Sequence, residues 1–125
     1  MIRILQRGME DLFDNWTVQV RKGFLELCIL SALQGGERYG YELVKRLVAV
    51  PGIQVAEGSI YPLLSRLKRQ GFIESRLVES AEGPARKYYA LTGEGQKQVA
   101  AMRDYFGSLV KGYEELSENL KKIET

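Results

Sequence analysis

The C-terminal quarter of the chain carries the pattern that most restricts its fold. Val99, Met102, Phe106, Leu109, Tyr113, Leu116, Leu120 and Ile123 are spaced 3, 4, 3, 4, 3, 4 and 3 residues apart. This is an a/d heptad repeat through more than three heptads. It predicts one long helix opening at Thr92, weakened locally by Gly107 and Gly112. A small domain cannot cover an apolar seam on a helix that leaves it. The seam needs a partner, and a second copy of the chain is the simplest one. The alternative is a helix that folds back on its own domain. The expected dimer interface is therefore Val99, Met102, Phe106, Leu109, Tyr113, Leu116 and Leu120. Leu12, Phe13 and Trp16 of an N-terminal arm are expected to wrap the same helix of the other subunit.

Upstream, periodicity and turn residues divide the chain. Met1 to Asn15 is an arm with a small amphipathic helix, Leu5, Met9, Leu12 and Phe13 recurring at helical spacing. Val18 to Gln34 reads as a helix with a wide apolar face that includes Phe24, Leu27, Cys28, Ile29, Leu30 and Leu33. Gly35-Gly36 ends it. Tyr41 to Val50 is a second helix, stopped by Pro51-Gly52. Gly58 to Gln70 is a third, with Ile60, Leu63, Leu64 and Leu67 forming one buried stripe. Glu57, Gly58 or Ser59 can cap it, and Pro62 is tolerated in or near its first turn. Phe72 to Val78 and Arg86 to Leu91 read as two strands joined through the polar, turn-rich segment SAEGPA. Three short helices followed by a two-stranded hairpin is the winged helix-turn-helix arrangement. The fold class is α+β, mostly α, with residues 1–91 as the winged-helix unit and 92–125 as the long C-terminal helix.

Composition excludes several functions. Histidine is absent, which removes the commonest general base and metal ligand. The single cysteine, Cys28, permits no intrachain disulfide and no cysteine-based zinc site, and it reads as a small core residue. No nucleophile–base pair or phosphate-binding loop is present, so neither an enzyme nor a cofactor is expected. The stretch Phe24 to Leu33 is interrupted by Glu26 and Ser31 and is far shorter than the roughly 20 residues that span a bilayer. The N-terminus is too polar for a secretory leader, so a soluble, cytoplasmic protein is expected.

The net charge of +2 is unevenly placed. Residues 59–91 hold six bases against three acids, and the third helix holds three bases and no acid. On a helical wheel the face opposite Ile60, Leu64 and Leu67 presents Tyr61, Pro62, Ser65, Arg66 and Arg69, with Lys68 at its edge. Arg66 and Arg69 have the chemistry to fork onto guanine or grip phosphate. Ser59 and Tyr61 can donate to phosphate at the helix N-terminus. The alternative is a solvated charged face, or a winged helix used for protein contact.

Four segments, in order, resemble the PadR family of bacterial winged-helix transcriptional regulators. They are YGYEL (Tyr39 to Leu43), GSIYPLLSRL (Gly58 to Leu67), GFI (Gly71 to Ile73) and GPARKYYALTGEG (Gly83 to Gly95). The resemblance implies a homodimeric repressor on a pseudo-palindromic DNA operator, released by a small molecule. It places Arg86 and Lys87 in the wing, near phosphates or the minor groove, and suggests that Tyr39 bonds a phosphate. Ala85 stands where relatives often carry proline or a base. Relatives that bind flat aromatic molecules use aromatic residues near the dimer seam, where this chain has Phe106, Tyr105 and, from the arm, Trp16.

Overall fold

In this computed structural model the backbone is described for residues 2–124, and the side chains of residues 2, 4 and 120–124 lie outside the described set. The element order is α1 (Ile2–Ala32), β1 (Arg38–Tyr39), α2 (Gly40–Val48), α3 (Glu57–Arg69), β2 (Ile73–Ser80), β3 (Gly83–Leu91) and α4 (Gly93–Glu124). The architecture is mostly helical with one small antiparallel sheet, as the sequence predicts.

The expected arm and first helix are one continuous helix of 31 residues. No proline interrupts Asn15 to Val18, and the Thr17 hydroxyl donates to the Asp14 carbonyl within the helix (2.8 Å), so the junction has nothing to break it. The sheet has three strands in the order β1-β3-β2, not two. β1 is only Arg38 and Tyr39, paired with Tyr89 and Tyr88. Two residues carry no periodicity, so only the pairing with β3 reveals them. The hairpin is also tighter than expected. Its turn is Ala81 and Glu82, and Gly83 to Ala85 belong to β3.

The core sits where α1, α2 and α3 meet β3 and the start of α4. Leu25, Ile29, Leu30 and Leu33 pack against Leu43, Val44 and Leu47 of α2, Ile60, Leu64 and Leu67 of α3, and Ile73 and Tyr89 of the sheet. Cys28 is half-buried against this cluster, and burial pushes its thiol pKa up. Val99 is fully buried in the same cluster and Met102 packs against it. Val99 is therefore not part of a seam open to a partner, because the first turns of α4 belong to the chain's own core.

Local chemistry fixes the ends of these elements. α3 begins one residue earlier than expected, after Ala56, with no side-chain cap, and Pro62 lies more than one turn inside it. Gly71 closes α3 with φ of 83°, while the Phe72 N–H donates to the Leu67 carbonyl (3.0 Å) and the Gly71 N–H to that of Lys68 (3.0 Å). Thr92 starts α4. Its hydroxyl accepts from the Gly95 N–H (3.0 Å) and donates to the Gly71 carbonyl (2.6 Å), tying the new helix to the end of α3.

Two ties across the fold give tests. The backbone of α4 approaches the link between α3 and β2 so closely that a Cβ at Gly95 would collide with the Phe72 carbonyl. Gly95→Ala should therefore destabilise the chain by about 1–3 kcal/mol in urea unfolding, the usual range for overpacking; an unchanged midpoint would disprove the close approach. Arg76 of β2 forks onto Glu37 with both N···O distances at 2.6 Å. Hydrogen bonding from this guanidinium, then its charge, holds the Glu37 carboxyl below its ordinary pKa. The tie is complete above the ordinary carboxylate range and is lost only as pH falls through the lowered value. Carbon NMR titration should place the Glu37 midpoint below that of an unpaired glutamate, and Arg76→Gln should return it to the ordinary value.

Candidate nucleic-acid interface

α3 buries Ile60, Leu64 and Leu67 and turns its other side to solvent. Tyr61, Pro62, Ser65, Lys68 and Arg69 are exposed along that side, and Ser59 is exposed at its start. The spacing of the buried stripe thus selects the outward face, as the wheel predicts for all but Arg66, which is half-buried.

The three bases of α3 have different surroundings. Arg69 is exposed in the last turn. The Lys68 ammonium donates to the Ser75 hydroxyl of β2 (2.7 Å), so it bridges α3 to the wing. Arg66 is half-buried and forms an ion pair with Glu26 of α1. Glu26 is the one acid among the apolar residues of Phe24 to Leu30. A charge inside such a run demands a partner, and that is the signal by which the pair could have been found from sequence. Arg76 and Glu37, 39 residues apart, offered no such signal.

The aromatic residues divide by strand alternation. Tyr89 faces the core and is buried, whereas Tyr39 is half-buried and Tyr41 exposed. Gly40 is required beneath it, because a Cβ there would stand 2.9 Å from the Tyr89 ring. Burial pushes the Tyr89 phenol pKa up, with a smaller contribution from nearby Tyr61 of α3. Tyr88 faces the opposite side of the sheet, and its ring lies 5.7 Å from that of Tyr39. The Arg86 guanidinium sits 4.9 Å over the Tyr39 ring, and the Lys45 ammonium 4.7 Å over the Tyr41 ring. Tyr39, Tyr41, Tyr88, Arg86 and Lys45 therefore form one basic, aromatic cluster at the joint of α2 and the sheet. Lys87 points to the other face, 5.8 Å over the Tyr89 ring. The two wing bases are thus split between the faces of β3.

A second feature lies away from this surface. α1 and α4 meet where Phe24 packs on Phe106, ring centroids 5.2 Å apart. Val20, Gly23, Phe24, Leu27, Met102, Tyr105, Phe106 and Leu109 line an apolar cleft of about 370 Å³ between them. Tyr105 and Phe106 come together there. Trp16 does not line the cleft and stacks instead on Phe13, centroids 6.2 Å apart. Leu109 at the edge of the cleft, and Leu12, Phe13, Trp16, Tyr113 and Leu116 beyond it, are between 53% and 72% exposed. Leu120 lies outside the residues whose side chains are described.

No helix among the described residues is long and apolar enough to cross a membrane. Comparison with known proteins then places the chain. Residues 29–101 match the family model of the transcriptional regulator PadR-like family. The fold is similar to that of a PadR-like transcriptional regulator from Bacillus cereus, 41% identical, with a TM-score of 0.70 over 78% of this chain and 95% of that one. It is similar to a Streptococcus transcriptional regulator, 36% identical, TM-score 0.71, over 79% and 97%. It is also similar to a PadR family transcriptional regulator from Eggerthella lenta, 31% identical, TM-score 0.72, over 88% and 96%. On the family match and on these likenesses, the chain belongs to the PadR-like family of winged-helix transcriptional regulators and is not an enzyme.

Proposed function

We propose that the chain is a homodimeric repressor that binds a pseudo-palindromic operator in double-stranded DNA in the cytoplasm. The observation that carries this is the exposed polar and basic side of α3, set on a buried stripe and flanked by the wing. A helix of this kind fits the major groove, which is about 12 Å wide. In this reading Ser65 and Arg69 face base edges, while Ser59, Tyr61, Pro62 and Lys68 meet the backbone at either end of α3. Tyr39, Arg86 and Lys87 hold flanking phosphates.

The exposed apolar faces of α1 and α4 support the dimer. Met102, Phe106, Leu109, Tyr113, Leu116 and Leu120, with Leu12, Phe13 and Trp16, form the proposed interface. Full burial of one large apolar side chain contributes about 1.5–3 kcal/mol. A shared seam built twice over outweighs the roughly 4–15 kcal/mol that association costs. Two reading helices related by a twofold axis would then meet half-sites one DNA turn apart, about 34–36 Å, or a multiple of it. The cleft lined by Tyr105 and Phe106 supports a flat aromatic effector, with Trp16 contributed across the dimer.

Selection from a random-sequence duplex library tests the reading. The wild-type chain should enrich a twofold-symmetric motif, and recovery of no motif would refute sequence-specific binding. On the selected duplex, Arg69→Ala should cost about 1–3 kcal/mol and relax the preference at one position in each half-site. Arg86→Ala should instead weaken all duplexes alike and lower the salt dependence by about one ion.

A further inference from the structure

Two polar side chains of α1 reach across to the segment that carries the reading helix. Arg21 donates to the carbonyls of Ile53 and Gln54 (3.3 Å each) in the turn that leads into α3. Gln54 has φ of 50°, an unusual conformation for a residue with a side chain, so its carbonyl is presented by a strained turn. Five residues further along α1, Glu26 pairs with Arg66 in the third turn of α3. The side chains of Arg66 and Glu26 are only 37% and 28% exposed. Leu25, between these two points, and Ile29, just beyond them, are buried in the core. α3 is thus fastened to α1 at its entrance and along its body.

We propose that Arg66 and Glu26, with Arg21, are positioning residues that set the angle of α3 on α1, and that Arg66 does not itself touch DNA. This rests on the reading of α3 as the DNA-reading helix. A guanidinium occupied by a carboxylate in a half-buried site must break a charge-assisted pair to reach a groove. Arg69, one turn on and exposed, carries no such cost. The clamp also joins the reading helix to the helix whose other side lines the apolar cleft, through Val20, Phe24 and Leu27. A shift of α1 against α4 is thereby transmitted to α3 through named side chains.

Charge exchange separates positioning from contact. The readout is the ratio of affinities for the selected duplex and a scrambled duplex of equal length, by fluorescence anisotropy. Arg66→Glu should lower this ratio by at least about tenfold, the scale of a lost reading contact. Glu26→Arg combined with Arg66→Glu should restore most of it, because the pair is rebuilt with reversed polarity. A glutamate at position 66 cannot donate to a base or phosphate, so a double variant no better than the single one overturns the proposal. Glu26→Gln gives a second reading. It should lower the ratio if the pair positions α3, and raise it if Glu26 merely sequesters a DNA-contacting Arg66.

If a charge-reversed chain does not fold, Arg66→Gln carries the test through salt dependence. A positioning residue leaves the slope unchanged, whereas loss of a phosphate contact lowers it by about one. A DNA-free arm tests the clamp by itself. Glu26→Gln and Arg66→Gln should be non-additive in urea unfolding, and additive effects would show that no clamp exists. A wild-type chain that selects no motif while the two variants remain coupled would refute the reading function and leave the clamp standing.

Discussion

One helix, α1, is asked to be three things at once, and the rest of the molecule follows from that constraint. Its C-terminal half supplies Leu25, Ile29, Leu30 and Leu33 to the core beneath α2 and α3. A neighbouring stripe, Phe24 and Leu27, receives Met102 and Phe106 of α4. Its N-terminal half continues as unbroken helix with Leu12, Phe13 and Trp16 in the open. An isolated helix of this length is held mainly by what its apolar face is packed against. Only half of this one has packing within the chain, so the other half calls for it from outside.

The same constraint explains which parts of the structure were legible in the sequence. The stripe Ile60, Leu64 and Leu67 identified α3 and its outward face because helical spacing leaves no other solution. The a/d pattern identified α4, yet it could not separate Val99, buried in the chain's own core, from Leu109 and Leu116, which stand exposed. A heptad repeat records that a face is covered and does not record by which molecule. The continuity of α1 was missed although the signal was there: Met9, Phe13, Trp16, Val20, Phe24 and Leu27 recur at spacings of 4, 3, 4, 4 and 3 straight through Thr17. β1 was hidden because two residues make a strand only where β3 supplies hydrogen bonds.

The candidate interface was legible by residue type and much less so by surroundings. Composition and the wheel located the bases of α3. They could not say that Lys68 is tied to Ser75, that Arg66 is held by Glu26, or that Arg86 lies on Tyr39. Each of those partners comes from a different element, and long-range pairing leaves no periodic trace. Surroundings nevertheless decide roles, because a free cation and an ion-paired one present different costs to a phosphate. The modest net charge of +2 hides this division: part of the positive charge faces outward, and part is paired, Arg66 with Glu26 of α1 and Arg76 with Glu37.

The central claim is that the exposed faces of α1 and α4 are halves of one shared seam. Sedimentation velocity of the full chain at micromolar concentration tests it most directly. The account predicts one species of twice the mass of a single chain, converted to monomer by Leu109→Glu with Leu116→Glu while helix content stays high. A wild-type chain that sediments as a monomer, or a doubly substituted chain that still sediments as a dimer, would contradict it.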